Sequence, residues 1–442
     1  MRIFTIVVVP FVLCLSGCAF FKSTPPPAPP RPLYVNRTAT LDITNGIGVV
    51  SSVELPGGFA PSPALPPMWL AQGLAVAVAG TLGGKAVVLG FRGDKLTEVT
   101  TIASDFGPGA PGGRILEVAA SPDGMELATA VSAADAHRLD LMVIDSISGG
   151  EGHSVASFDG DFRVAGLSWL NRTTIAIVLQ ASAQAATIAD TASELYVVGI
   201  SGTGSITHFD QVHCRLGRMS FSPNRLFAVS EGDRDVAPAM IDLRTQACAE
   251  IRVAGPIRVL GWAPDSSAIL YTGGDRDGKN IGVFRFTLAT AQRTLIAVSS
   301  AAAAYASDGT IIAIGNGQLS WKRVAQNPDA PIKAEIALLN PLTAVVTINS
   351  LGFKTTPTMF ARSSMVLTAA SDSAAIDTFV PASDGLLREL IDYSYPSRSA
   401  FVVASGHATG PLTMSWSANG RALAIVDGDS SLAKLTVLIP PQ

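Results

Sequence analysis

Two short segments of the 442-residue chain set opposite charges side by side: Gly232-Asp233-Arg234-Asp235 and, 42 residues later, Gly274-Asp275-Arg276-Asp277. Asp427-Gly428-Asp429 occupies the corresponding place near the end of the chain. Carboxylates at this density could hold Ca²⁺, a hard cation that takes oxygen ligands, and the interleaved guanidiniums could grip a charged partner. A plainer reading competes, because Asp and Gly tolerate the positive φ of tight hairpins. The turn is preferred to the metal site. As contact surface the tips formed by Asp233, Arg234, Asp235, Asp275, Arg276 and Asp277 are kept as candidates, since loops on a rigid scaffold carry recognition.

Other chemistry is sparse. His137, His153, His208, His213 and His407 include no pair at the i, i+4 spacing of a zinc-binding helix, and no Gly-x-Ser-x-Gly nucleophile elbow occurs. No catalytic, cofactor-binding or metal-binding residue is therefore assigned, and an enzyme is not expected. Lys plus Arg number 31 against 35 Asp plus Glu, which leaves no basic excess to neutralise phosphates and argues against a nucleic-acid partner. Apolar residues make up 48% of the chain, enough for a large core.

The four cysteines lead to the chain's location. Arg2 precedes an uncharged apolar stretch from Ile3 to Leu15, too short to span a bilayer and suited to an export signal. It ends in Leu15-Ser16-Gly17-Cys18, which resembles the lipobox of bacterial lipoproteins at all four positions. That resemblance implies cleavage before Cys18, loss of Cys14 with the signal, and acylation of the Cys18 thiol. Two or three acyl chains would hold the chain on a membrane essentially permanently. Residues 1–17 then form the signal, 18–38 the lipidated Cys and a Pro-rich linker (Pro25-Pro26-Pro27-Ala28-Pro29-Pro30-Arg31-Pro32), and 39–442 the folded body. Proline without a backbone donor makes the linker an extended spacer. The expected location is extracytoplasmic, on the outer face of the cell membrane or the outer membrane, with Ala19 after the Cys permitting outer-membrane sorting.

Cys214 and Cys248 remain in the body. An oxidising compartment favours a disulfide between them, whereas the strand reading puts them at opposite ends of one repeat. Both alternatives stand at this level.

The elements that must position any site repeat along the chain. A hydrophobic residue, a small residue, an aromatic and a turn recur before a short β-rich run. The clearest copies are Ala119-Ala120-Ser121-Pro122-Asp123-Gly124, Met219-Ser220-Phe221-Ser222-Pro223-Asn224, Leu260-Gly261-Trp262-Ala263-Pro264-Asp265 and Met414-Ser415-Trp416-Ser417-Ala418-Asn419-Gly420. Aligning all copies gives the column Trp69, Ala120, Trp169, Phe221, Trp262, Tyr305, Phe360 and Trp416, spaced by 51, 49, 52, 41, 43, 55 and 56 residues. Such a period fits propeller blades with loop insertions. Runs such as Thr174 to Val178 and Ala268 to Tyr271, a second set such as Leu139 to Ile144 and Gly282 to Phe286, and an outer run such as Ile251 to Ala254 supply about four strands per repeat.

The predicted fold is all-β: a propeller of eight four-stranded blades, or seven if the Trp69 or Phe360 unit is misread. The last repeat, Leu412 to Ile439, supplies three strands, and a strand from Ile47 to Leu55 is expected to add the fourth and close the ring. The uncharged stretch from Met68 to Gly84, broken by glycines, reads as strands around a turn and not as a membrane span.

The cassette resembles the WD40-like repeats of the TolB type, with Ser121-Pro122-Asp123-Gly124 matching the signature tetrapeptide in full and the other copies keeping two or three positions. The resemblance covers about Val49 to Ile439; no Trp-Asp dipeptide occurs. It implies a docking module, by analogy with the lipoprotein propeller of the outer-membrane assembly machinery or the actinobacterial lipoprotein that accompanies a sensor kinase. This chain lacks the blade motifs of the first and the extra domain of the second. The expectation is a monomeric, membrane-anchored scaffold for an envelope protein or cell-wall ligand. The alternative is a quinoprotein dehydrogenase, lactonase or lyase with its site in the central channel.

Overall fold

A computed structural model of the chain describes residues 42–43 and 48–439, apart from a number of connecting segments of which 104–113, 182–192 and 315–331 are the longest. The described residues form eight antiparallel sheets arranged as the blades of a propeller, with no helix among them. The innermost strands are Met68–Leu70, Arg114–Ala120, Phe162–Asn171, Met219–Phe221, Arg258–Trp262, Ala303–Tyr305, Ser364–Leu367 and Leu412–Trp416, which define blades 1 to 8. Successive innermost strands touch around the ring, and that of blade 8 meets that of blade 1.

Closure follows the expected scheme. Gly48–Glu54 pairs antiparallel with Leu432–Ile439 and becomes the outermost strand of blade 8. Just before it, Asp42–Ile43 pairs with Ser399–Gly406 of blade 7. The start of the body thus covers two outer edges whose backbone groups would otherwise be open to another chain.

Second strands are buried on both faces between neighbouring blades, which is why they read as continuous apolar runs. Ile175 to Leu179 is fully buried in blade 3, and Ile311 to Ile314 is nearly so in blade 6. The core therefore consists of layers between blades, such as Leu139, Leu141, Trp169, Ile175 and Ile177 between blades 2 and 3.

The aromatic column lies at the ends of the innermost strands and staples one blade to the last. Indole Nε1 of Trp69 donates to the Ser415 carbonyl (3.0 Å), Trp169 to that of Ala119 (2.9 Å), Trp262 to Ser220 Oγ (3.1 Å) and Trp416 to the Val366 carbonyl (3.0 Å). A buried indole needs such an acceptor, and the neighbouring blade supplies it.

The turns that follow the column are built alike. Backbone N–H groups of Gly124, Arg225, Ser266, Gly309 and Gly420 each close a turn onto the residue three before, and all five have positive φ, between 58° and 83°. Glycine meets that demand without cost. Arg225 and Ser266 are held there by bonds between blades: Arg225 Nη1 reaches Ser168 Oγ (2.9 Å), and Ser266 Oγ accepts the Asn224 N–H (3.2 Å).

Two expectations need correction. In blade 7 the innermost strand ends at Leu367, paired with Ala374, so Leu367 takes the column position and not Phe360, which lies outside the described residues. No Ser-Pro-Asp-Gly-like turn marks that repeat, and the only aromatic nearby misled the alignment. In blade 4 the outer strand is Cys248–Glu250, not Ile251 to Ala254. The apolar stretch after Met68 forms two strands, Met68–Leu70 and Ala75–Leu82, as its reading implied, and a further piece, Phe59–Pro61, also pairs with the latter. Pro61, Pro63, Pro66 and Pro67 withhold the donors a continuous strand would need. No described helix is long and apolar enough to cross a membrane.

Candidate functional site

Each innermost strand starts at one rim of the ring, the entry rim, and ends at the other, the turn rim. On the entry rim four successive blades place an arginine at or near the start of this strand: Arg114, Arg163, Arg218 and Arg258, all exposed. In blades 2, 3 and 5 the strand then bulges, between Ile115 and Glu117, Val164 and Gly166, and Val259 and Gly261. An extra residue reverses the in-out alternation beyond it and re-aims the side chains. Glu117, beyond the first bulge, lines the mouth.

A cavity of about 340 Å³ opens there, walled by Glu117 of blade 2, Arg163, Val164 and Ala165 of blade 3, and Gly217, Arg218, Glu231 and Gly232 of blade 4. Gly217 is required by the close approach of two backbones, since a Cβ there would lie 2.3 Å from the Glu231 carbonyl oxygen. Its N–H donates to Ser230 Oγ (2.6 Å).

The charges in this cavity are held apart. Arg163 bonds the Gln180 side chain. Glu231 Oε1 accepts the Val259 N–H of blade 5 (2.8 Å). Ion pairs among the described residues join His137 to Asp161, Arg138 to Asp140, Arg172 to Asp123, Arg244 to Asp242 and Arg388 to Asp377; none includes a residue of the cavity. Burial pushes the Glu117 carboxyl above its ordinary value, against the pull of Arg218. Burial likewise raises Glu231, outweighing the Val259 N–H and the charges of Arg218 and Arg258.

Of the residues singled out from sequence, Cys18, Asp233, Arg234, Asp235, Asp275, Arg276 and Asp277 lie outside the described residues. The strand ends flanking the two acidic segments belong to the entry rim: Gly232 is on the cavity wall, and Thr272, next to the strand end Gly273, pairs with Arg258. Asp427 and Asp429 are not a turn; both sit in the strand Leu423–Asp429, and Asp427 is buried. The histidines are dispersed, His137 beside Asp161, His208 stacked on Tyr196 and His407 on the Leu386 carbonyl, and the described residues hold no group of three His, Cys, Asp or Glu able to ligate a metal.

Cys214 and Cys248 are joined by a disulfide, with Cα atoms 6.1 Å apart. Sequence reading put the two at opposite ends of blade 4, supposing that the connection into the blade stays at the entry rim. Instead it folds between blades: Leu216 is fully buried, its N–H and carbonyl both bonded to Ser193 Oγ, and Cys214 packs with Cys248 on the same apolar cluster.

Sequence analysis passed over the four arginines. The available signal was a recurrent Arg followed by an apolar residue, three to six positions before the column residue: Arg114-Ile115, Arg163-Val164, Arg218-Met219 and Arg258-Val259.

No family model matches the chain, and no curated protein matches it. Solved structures do. The Dos1 propeller aligns at a TM-score of 0.56 and 10% identity over 89% of this chain and 95% of that one. An oligogalacturonate lyase in complex with manganese aligns at 0.51 and 12% over 91% and 96%. The dihydro-heme d1 dehydrogenase NirN aligns at 0.51 and 14% over 86% and 76%. At such identities what this chain shares with them is the β-propeller fold.

Proposed function

We propose that this chain is a docking propeller, tethered through Cys18 to a bacterial membrane and presenting its entry rim to an envelope protein or cell-wall ligand that carries negative charge. The observation that carries the reading is the row of guanidiniums, Arg114, Arg163, Arg218 and Arg258, set on four adjacent blades with no ion pair to a described residue. Charges fixed on rigid strands need little ordering on association, and complementary potential steers the partner in. The tether is supported by Leu15-Ser16-Gly17-Cys18 and the proline run behind it.

An enzyme is the second reading, and one observation favours it: a half-buried carboxyl with a raised pKa, Glu117, in a cavity is the kind of group that performs general acid–base catalysis.

Crosslinking in the native envelope followed by mass spectrometry tests the docking reading. A partner captured by the wild-type chain and lost from the Arg114→Ser/Arg258→Ser variant is the expected result; equal capture by that variant overturns it. Cys18→Ser should move the chain from the membrane to the soluble fraction, and a chain that stays with the membrane rejects the tether.

A further inference from the structure

The cavity between blades 2, 3 and 4 sets two arginines of the docking row, Arg163 and Arg218, against two carboxylates that the docking reading does not use. It holds two guanidiniums and two carboxylates, contributed by three separate blades. Opposite charges in a half-buried site ordinarily close on each other, because the pairing offsets lost hydration. Here no ion pair joins them among the described residues: Glu117 and Arg163 lie in the innermost strands of blades 2 and 3, while Arg218 and Glu231 flank neighbouring strands of blade 4, where the Glu231 N–H donates to the Arg218 carbonyl (2.8 Å). Arg218 keeps its guanidinium unpaired among the described residues, while Glu117 feels its charge without touching it. Volume is small, at the lower end of the range of ligand pockets.

We propose that this cavity binds a small zwitterion with the chemistry of a free amino acid or a short peptide with open termini, its carboxylate on Arg163 and Arg218 and its ammonium on Glu117 and Glu231. The argument is one of charge balance. A simple anion would meet the arginines but bring a third negative charge beside Glu117 and Glu231, and a simple amine would face both guanidiniums. Only a molecule carrying both signs, separated by its own backbone, meets the exposed guanidiniums with a carboxylate while giving the half-buried Glu117 and Glu231 an opposite charge. Arg suits the carboxylate end because its planar fork matches two oxygens. Among the described residues, Val164, Ala165, Gly217 and Gly232 complete the wall without further charge.

Isothermal titration of the detergent-solubilised full chain at neutral pH provides the test, with glycylglycine, N-acetylglycylglycine, glycylglycine methyl ester and glucuronate as probes. Glycylglycine should bind, and blocking either terminus should weaken it by about ten-fold or more, the scale of a lost hydrogen bond to a charged group. Glu117→Gln should weaken glycylglycine by a similar factor and leave the N-acetyl form unweakened. Its melting temperature should not fall, which separates a lost ligand contact from a lost fold. The proposal is overturned if the N-acetyl form binds as tightly as the free dipeptide, if glucuronate binds more tightly, or if no probe binds. Failure here leaves partner capture at Arg114 and Arg258 untouched, so the two readings stand or fall separately.

Discussion

At the turn rim, carboxylates are bound into local structure. Ser121 and the Met125 N–H hold Asp123 below its ordinary value, Ser267 does the same for Asp265, and hydrogen bonds from Arg244 bring Asp242 down to about 2. At the entry rim, Glu117 and Glu231 are raised by burial and carry no ion pair among the described residues. Glu126 departs from the pattern, being on the turn rim yet raised by burial. The turn-rim carboxylates are thus held by bonds within their own turns, whereas Glu117 and Glu231 sit desolvated in the cavity; elsewhere on the entry rim His137 pairs with Asp161 and Arg138 with Asp140, so the contrast belongs to the cavity and not to the whole rim.

Substitutions can break this contrast, beginning with the largest effect. Trp169→Ala at the turn rim removes a nearly fully buried indole and its bond to Ala119; it should cost about 3–5 kcal/mol, read as a lowered urea midpoint. Reducing the Cys214–Cys248 bond, which closes a loop of 34 residues, should cost about 2–4 kcal/mol in the same assay. Ser222→Ala leaves the Phe227 N–H without its side-chain acceptor and should cost about 1–2 kcal/mol. None of the three should change glycylglycine affinity while the chain is folded. At the entry rim the signs reverse: Glu117→Gln should weaken glycylglycine by about ten-fold and raise the melting temperature at neutral pH by about 1 °C, because it removes a desolvated charge.

Acid sharpens the comparison. A carboxyl raised in the folded state favours folding when protonated, so Glu117 and Glu231 contribute stability below their ordinary 4.5 and lose it as pH rises through their folded values. Lowered groups act the other way: Asp123, Asp242 and Asp265 stabilise above the ordinary 3.8 and lose that contribution as pH falls below it. Acidification from neutral should therefore first neutralise Glu117 and Glu231, flanked by Arg163, Arg218 and Arg258, and abolish zwitterion binding while the fold holds. Loss of structure should follow only below about pH 4. Simultaneous loss of both, followed by titration and circular dichroism on one sample, would remove the distinction between the rims.

Much of the turn rim is legible in the chain because its interactions are local. Ser121 meets Asp123 two residues on and the Glu126 N–H five residues on, so the repeat of the residues is the repeat of the structure. Blade 7 escaped because the sequence between its strands Ser364–Leu367 and Ser373–Ala382, Thr368-Ala369-Ala370-Ser371-Asp372, lacks the cassette. The entry rim is a different case. Glu117, Arg163 and Arg218 are about fifty residues apart from one to the next, and nothing short-range couples them.

The chain alone dictates alternating apolar runs, turns that demand positive φ, and a spare first strand matched to a last repeat one strand short; together these leave a closed ring as the arrangement with no open edge. What the chain alone does not dictate is which residues meet once the ring has closed. Three bulges, a backbone contact that only Gly217 admits, and a connection that dives between blades to bring Cys214 to Cys248 all depend on how neighbouring blades pack. Convergence of side chains from separate blades is a property of that packing, and so the cavity belongs to the tertiary structure.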